Sequence, residues 1–184
     1  VTAELIFFMY FTDAVDSAKQ EKFTDYLLHK QREDGSWPLY YGGPCDINCT
    51  VESYMALKLA GVPVDQAEMV KAREAIFANG GIKKTRVFTK IFLAMFGQIP
   101  WEVCPAVPVE IVLFANWFPL NIYEMSSWSR GTVVPLSVVL AHRPVHHPPE
   151  GRDVKELFTE GECNLGFESD GSIFSSWRNF FIYF

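Results

Sequence analysis

The sequence has no uninterrupted apolar run of the ~18 to 20 residues that a membrane-spanning helix needs, so any membrane contact must be shallow. It has no basic cluster either. Lys83, Lys84 and Arg86 form the densest positive run, which reads as a solvated loop, and the net charge is −6. Phosphate binding needs a positive surface, so nucleic acid is excluded as a partner. Cysteine is scarce: Cys45, Cys49, Cys104 and Cys163 are the four in 184 residues. No signal peptide stands ahead of them, so a reducing compartment is expected and a disulfide framework is not. Cys45 and Cys49 are spaced C-x3-C, but no second cysteine pair follows, and His142, His146 and His147 lie far downstream. That is too loose for a zinc site. No metal and no cofactor are expected.

What the chain has in plenty is rings. Aromatics make up 15%, including sixteen Phe and five Trp, within a composition that is 49% hydrophobic and 21% charged. This is a globular balance. Such aromatic content implies a large core or an apolar surface that meets something greasy. The length suits one domain over 1–184. The chain opens on Val1 rather than Met, and 173–184 reads as a helix without a C-cap signal, so both ends are expected to be cuts in a longer protein.

The periodicity is mainly helical. An apolar stretch covers 3–15. Phe23, Tyr26, Leu27 and Lys30 give a helical stripe over 19–31, closed by Asp34-Gly35-Ser36. A helix over 50–60 has Thr50 as expected N-cap and Gly61 as C-cap. Further helices are expected over 66–78, broken by Gly80-Gly81, and from Val87 to Phe96, where Lys90 is the one charge. Prolines punctuate 100–119, with Pro105 and Pro108 at the start of the apolar run Val109 to Trp117. A helix over 128–140 contains Pro135 as an expected kink. Residues 150–172 are polar, mixed and the least ordered in appearance. The segment 21–36 corresponds to 70–85, and each is followed by a helix ending in Gly and then Pro. Repeated helix–turn–helix units imply stacked helical pairs, whether a closed α/α barrel or an open solenoid.

Gln31, Gly35 and Trp37 form Q-x3-G-x-W. A Gln at a helix end can bond free backbone groups of a neighbouring helix, and Gly makes the turn. This element resembles the QW motif of the triterpene cyclases. The stretch 31–47, QREDGSWPLYYGGPCDI, resembles the bacterial squalene–hopene cyclases. So do Thr50 to Lys58, Gly80 to Ile82 with Thr85 to Lys90, Pro119 to Glu124, and Ser127 to Ser137. The blocks keep the family's order from about residue 3 to 144 and return over 173–184.

The resemblance implies an all-α fold, the N-terminal small α/α barrel (or part of it) of a two-barrel enzyme. It implies a polyprenoid substrate, squalene or a relative, cyclised by acid-initiated carbocation chemistry. The family's proton donor is a DxDD motif, which this sequence lacks; Cys45-Asp46-Ile47-Asn48 is the nearest and matches a different block. The isolated chain is therefore expected to be inactive, with no catalytic residue of its own and a missing C-terminal barrel as partner. By residue type alone Trp128 reads as core; the resemblance makes it a cavity residue, where a ring face stabilises a carbocation. Met125 and Val133 match the narrow gate of the substrate channel, although the family usually has Phe at the first. Glu4, Glu52 and Arg86 match charged residues of the small barrel and read as structural ion pairs or helix-end ligands. The run 173–184 matches a membrane-contacting helix, which implies a monotopic protein on the cytoplasmic face of a membrane. A buried helix separated from its partner is the other reading of that run. Homodimerisation of the full-length enzyme is a further expectation. Two alternatives stay open: a protein prenyltransferase-like barrel, which needs a zinc set that Asp46 and Cys49 begin without an aligned His, and a non-enzymatic module that binds a membrane or partner through 173–184.

Overall fold

The computed structural model describes residues 1–104, 107–118 and 121–158. The expected membrane-contacting helix at 173–184 lies outside them. The described residues are helical, with α1 Thr2–Phe11, α2 Ser17–Lys30, α3 Ile47–Ala60, α4 Ala67–Ala78, α5 Val87–Met95 and α6 Ser127–His142. No strand occurs among the described residues, only an isolated bridge between Pro38 and Cys45. The expected all-α fold is what is found. Where the sequence places one domain over 1–184, the described residues group into two compact units. Unit 1 is Val1–Ile99 with 146–158, and unit 2 is Pro100–Val145.

In unit 1, α3 is the hub on which α1, α2, α4 and α5 all pack. Its sequence explains this. Val51, Tyr54, Met55, Ala56, Leu57 and Leu59 are buried and fall all round the helix. Around it, α1 supplies Ile6 and Phe7, and Phe7 meets Phe92 and Phe96 at centroid distances of 5.5 and 5.7 Å. On α2 only Leu27 is fully buried; Tyr26, part of the expected stripe, is more than half exposed.

The expected helical pairs are present. The turn after α2 and the turn after α4 carry left-handed glycines at Gly35 and Gly80, and the paired helices α3 and α5 are followed by left-handed Gly61 and Gly97. The N-terminus of α3 differs from the expectation. The cap is Asp46, not Thr50, because Asp46 Oδ1 accepts from Asn48 N at 2.9 Å and Cys49 N at 3.0 Å. The hydroxyl of Thr50, one turn inside, donates to Asp46 O at 2.7 Å and accepts from Trp37 N at 3.2 Å. The apolar run after Pro108 forms only a short 3-10 turn, Val109–Leu113.

Residues 150–158, expected to be among the least ordered, dock onto unit 1. Val154 and Leu157 are fully buried. Arg152 Nη1 donates to Leu59 O at 2.6 Å, near the end of α3, and to Tyr10 Oη at 2.7 Å. Glu156 accepts from Tyr54 Oη at 2.7 Å and pairs with Lys58 Nζ at 3.0 Å. The polarity of this stretch serves helix ends and buried hydroxyls, which local periodicity does not reveal.

Candidate functional site

The QW element closes the joint between the two helical pairs of unit 1. At the end of α2, Gln31 Nε2 donates to Gly35 O at 2.9 Å and to Glu68 O on α4 at 2.8 Å. Gly35 has φ +81, and a Cβ there would stand 2.4 Å from Lys71 O. Only glycine permits both the turn and this approach to α4. Trp37, 4% exposed, donates its indole N–H to Leu27 O at 2.8 Å, satisfying one of the carbonyls left free at the end of α2. The motif is therefore structural cement.

The three charged positions all lie in unit 1, where the carboxylates of Glu4 and Asp46 act on Glu52 and Asp46 pairs with Arg86. Glu4 is exposed on the first turn of α1, 3.3 Å from the N-terminal ammonium. Arg86 is exposed at the N-cap of α5, with its guanidinium 3.6 Å from Asp46 and its backbone N–H donating to Asn48 Oδ1 at 2.6 Å. Glu52 is half-buried on α3 and accepts from Thr89 Oγ1 at 2.6 Å. Burial pushes the Glu52 carboxyl above its ordinary range, although the Thr89 hydroxyl opposes this. Burial also pushes Asp46 up, but the Cys49 backbone N–H, the Asn48 side chain and Arg86 outweigh it and hold the carboxyl low.

A cavity of about 550 Å³ in unit 1 is lined by Tyr26, Lys30, Trp37, Tyr40, Cys49 and Glu52, among others. Burial, then the carboxylates of Asp46 and Glu52, push the Cys49 thiol up to about 11. A thiol so held is a poor nucleophile at neutral pH. No group of three His, Cys, Asp or Glu side chains among the described residues is placed to hold a metal ion.

The lining residues expected from the sequence lie in unit 2. Ser126 caps α6, its hydroxyl accepting from Ser129 N at 3.2 Å. Ser137 and Leu140 turn inward. Trp128, Gly131, Pro135 and Val138 are exposed, and their spacing puts them on one face. Trp128 is 81% exposed, so in this chain it is not core. Met125, just before the cap, and Val133 are half-buried. Val133 lies about 140° round the helix from Trp128 at 100° per residue, so the two do not share a face. Leu113, Trp117 and Tyr123 add further exposed apolar surface to unit 2.

Sequence reasoning gave Asn121 no role. It is 1% exposed and all its hydrogen-bonding capacity is used. Nδ2 donates to Asn116 O at 3.0 Å and Phe118 O at 2.6 Å; Oδ1 accepts from Tyr123 N at 2.8 Å and Glu124 N at 3.1 Å. The available signal was an Asn in a proline-punctuated segment, a residue type that mimics backbone turns.

Helical pairs cemented by a QW element, together with an exposed indole on a helix face, define a helical domain of the terpene cyclase class. A family model described as the squalene-hopene cyclase N-terminal domain matches residues 1–184. The chain is 48% identical over 156 residues to the squalene–hopene cyclase of Alicyclobacillus acidocaldarius, covering 85% of this chain and 25% of that protein. It is 38% identical over 174 residues to a probable squalene–hopene cyclase of Sinorhizobium fredii, covering 95% and 27%. With the squalene–hopene cyclase of Zymomonas mobilis the identity is 41% over 172 residues, covering 94% and 26%. The chain belongs to the squalene–hopene cyclase N-terminal domain family. It spans about a quarter of the length of these relatives.

Proposed function

We propose that this chain is the N-terminal part of a cyclase that folds squalene and closes it to a pentacyclic hopanoid. The overall reaction is an isomerisation. A proton adds to a terminal double bond, successive alkenes attack the resulting cation, and a proton leaves at the end, so no atom is gained or lost. The proton donor belongs to the part of the enzyme beyond this chain. This chain contributes wall: Trp128 offers a ring face to the passing cation, an interaction worth about 2 kcal/mol or more when desolvated. Met125 and Val133 stand at the channel gate.

The observation that carries the reading is the exposure of Trp128 on the first turn of a capped helix. A large indole exposed on a helix suits a surface that the remainder of an enzyme closes over. Glu4, Glu52 and Arg86 act in folding, and the QW element joins helical pairs. The segment 173–184 lies in the membrane interface, so that substrate enters from the bilayer on the cytoplasmic face, and the full-length enzyme forms a homodimer. The test compares the full-length protein, its Trp128→Leu variant and the 184-residue chain, each incubated with squalene. The expected result is cyclised product from the first, a changed product mixture from the second and none from the third. Turnover by the 184-residue chain alone would overturn the assignment of the proton donor to the rest of the enzyme.

A further inference from the structure

The proposed role of Trp128 requires that its indole be held in one direction before substrate arrives. The helix cap alone does not do this, because a helix can pivot about its first turn if the chain leading into it is loose. In this protein the lead-in is not loose. The backbones of Asn116, Phe118, Tyr123 and Glu124 are gathered around one buried amide, that of Asn121. Its NH₂ group ties down the carbonyls of Asn116 and Phe118, and its oxygen ties down the N–H groups of Tyr123 and Glu124. Every partner is main chain, so the amide fixes the path of the backbone and is indifferent to the neighbouring side chains. One residue past this knot, Met125 N donates to Ile122 O at 3.4 Å. Ser126 then caps α6, with Trp128 in its first turn and Arg130 N donating to Ser126 O at 2.9 Å.

Resting on the reading of Trp128 as a substrate-facing residue, we propose that Asn121 is a positioning residue that acts through Trp128 by fixing the entry of α6. The chemistry makes a sharp variant available. Asn121→Asp keeps the shape and the acceptor oxygen but replaces the NH₂ by a carboxylate oxygen. That oxygen then faces the carbonyls of Asn116 and Phe118 and repels both. Two bonds become two repulsions while the volume is unchanged.

The test uses the full-length enzyme with squalene, with rates normalised to folded protein. Asn121→Asp is expected to lower kcat/KM by about tenfold, as misplacement of a positioning contact does, with a rise in KM and a larger share of incompletely cyclised product. Arg152→Ala, an anchor in unit 1, serves as the control: it lowers the folded fraction but leaves KM and product ratio unchanged. In a double-mutant cycle, Asn121→Asp adds nothing to the product shift of Trp128→Leu, because one acts through the other. If Asn121→Asp does not accumulate, Asn121→Ser, which keeps one donor and one acceptor, is read in the same way with a smaller shift. An unchanged KM and product ratio in the folded Asn121 variant, with Trp128→Leu altering both, would overturn the inference and leave the reading of Trp128 standing. Additive effects in the cycle would overturn it too. No effect of Trp128→Leu would remove that reading itself.

Discussion

Replacing Gly35 by alanine and, separately, Gly42 by alanine separates two effects that usually come together. Both glycines are left-handed, Gly35 at φ +81 and Gly42 at φ +73. An L-residue in that region costs about 1–2 kcal/mol. At Gly42 nothing lies within 4 Å of the added Cβ, so that is the whole effect. At Gly35 the Cβ would meet Lys71 O at 2.4 Å and Lys71 C at 2.5 Å, both backbone atoms of α4. Backbone cannot rotate away, so the turn and α4 must part. The bond from Gln31 Nε2 to Glu68 O is then strained or lost, adding about 1–3 kcal/mol for a buried polar group left unpaired. The expected loss is thus about 2–5 kcal/mol for Gly35→Ala against about 1–2 for Gly42→Ala. With a urea slope of about 2 kcal/mol per molar, the midpoint of unit 1 falls by about 1–2.5 M in the first case and about 0.5–1 M in the second. Urea unfolding followed by far-UV circular dichroism reads both. Equal midpoints for the two variants would refute the close approach of the QW turn to α4.

Three further outcomes follow from the same structure, and a fourth from the proposed function. Arg152→Ala removes two hydrogen bonds donated by one charged nitrogen and should destabilise unit 1 by about 2–4 kcal/mol in the same urea assay. Cys49, held as a thiol with its pKa near 11, should react with iodoacetamide at pH 8 about a hundredfold more slowly than a free cysteine. Labelling at the free-thiol rate would contradict its burial beside Asp46 and Glu52. Asp46 and Glu52 should give opposite pH slopes. Asp46 is held below its ordinary 3.8, so its stabilisation is present above that pH and is lost as the pH falls through the lower folded value. Glu52 is held above its ordinary 4.5, so the folded state favours its proton and stability declines as the pH rises past 4.5; Glu52→Gln should remove that decline, as a pH series of urea midpoints would show. Finally, deleting residues 173–184 from the full-length protein should abolish co-sedimentation with liposomes, and equal binding by both forms would remove that segment from the account.

The local parts of this fold were legible in the sequence because their signals are local. Gly35, Gly61 and Gly97 punctuate helices, and the Q-x3-G-x-W spacing placed a donor, a turn and a ring within one loop. Even there the cap expected for α3 lies four residues from the one observed, since both Asp46 and Thr50 are good cap types and only the geometry chooses between them. What could not be read was long-range. Arg152 meets Tyr10 across 142 residues and Glu156 meets Tyr54 across 102, so neither leaves a periodic trace, and the stretch between them looked merely polar. Trp128 illustrates the limit of residue type: an indole in an apolar helix reads as core, yet the structure leaves it exposed. Asn121 leaves no signal of its own, because a buried amide bonded only to main chain looks, in sequence, like any other turn residue.

The claim at the centre of the account is that Trp128 faces the substrate. A squalene analogue carrying a photoreactive group, irradiated with the full-length enzyme and mapped by mass spectrometry, tests it most directly. The label is expected to fall on the peptide containing Met125 and Trp128 and to be suppressed by excess squalene. Labelling that spares this peptide, while squalene-protected label appears elsewhere in the enzyme, would contradict it.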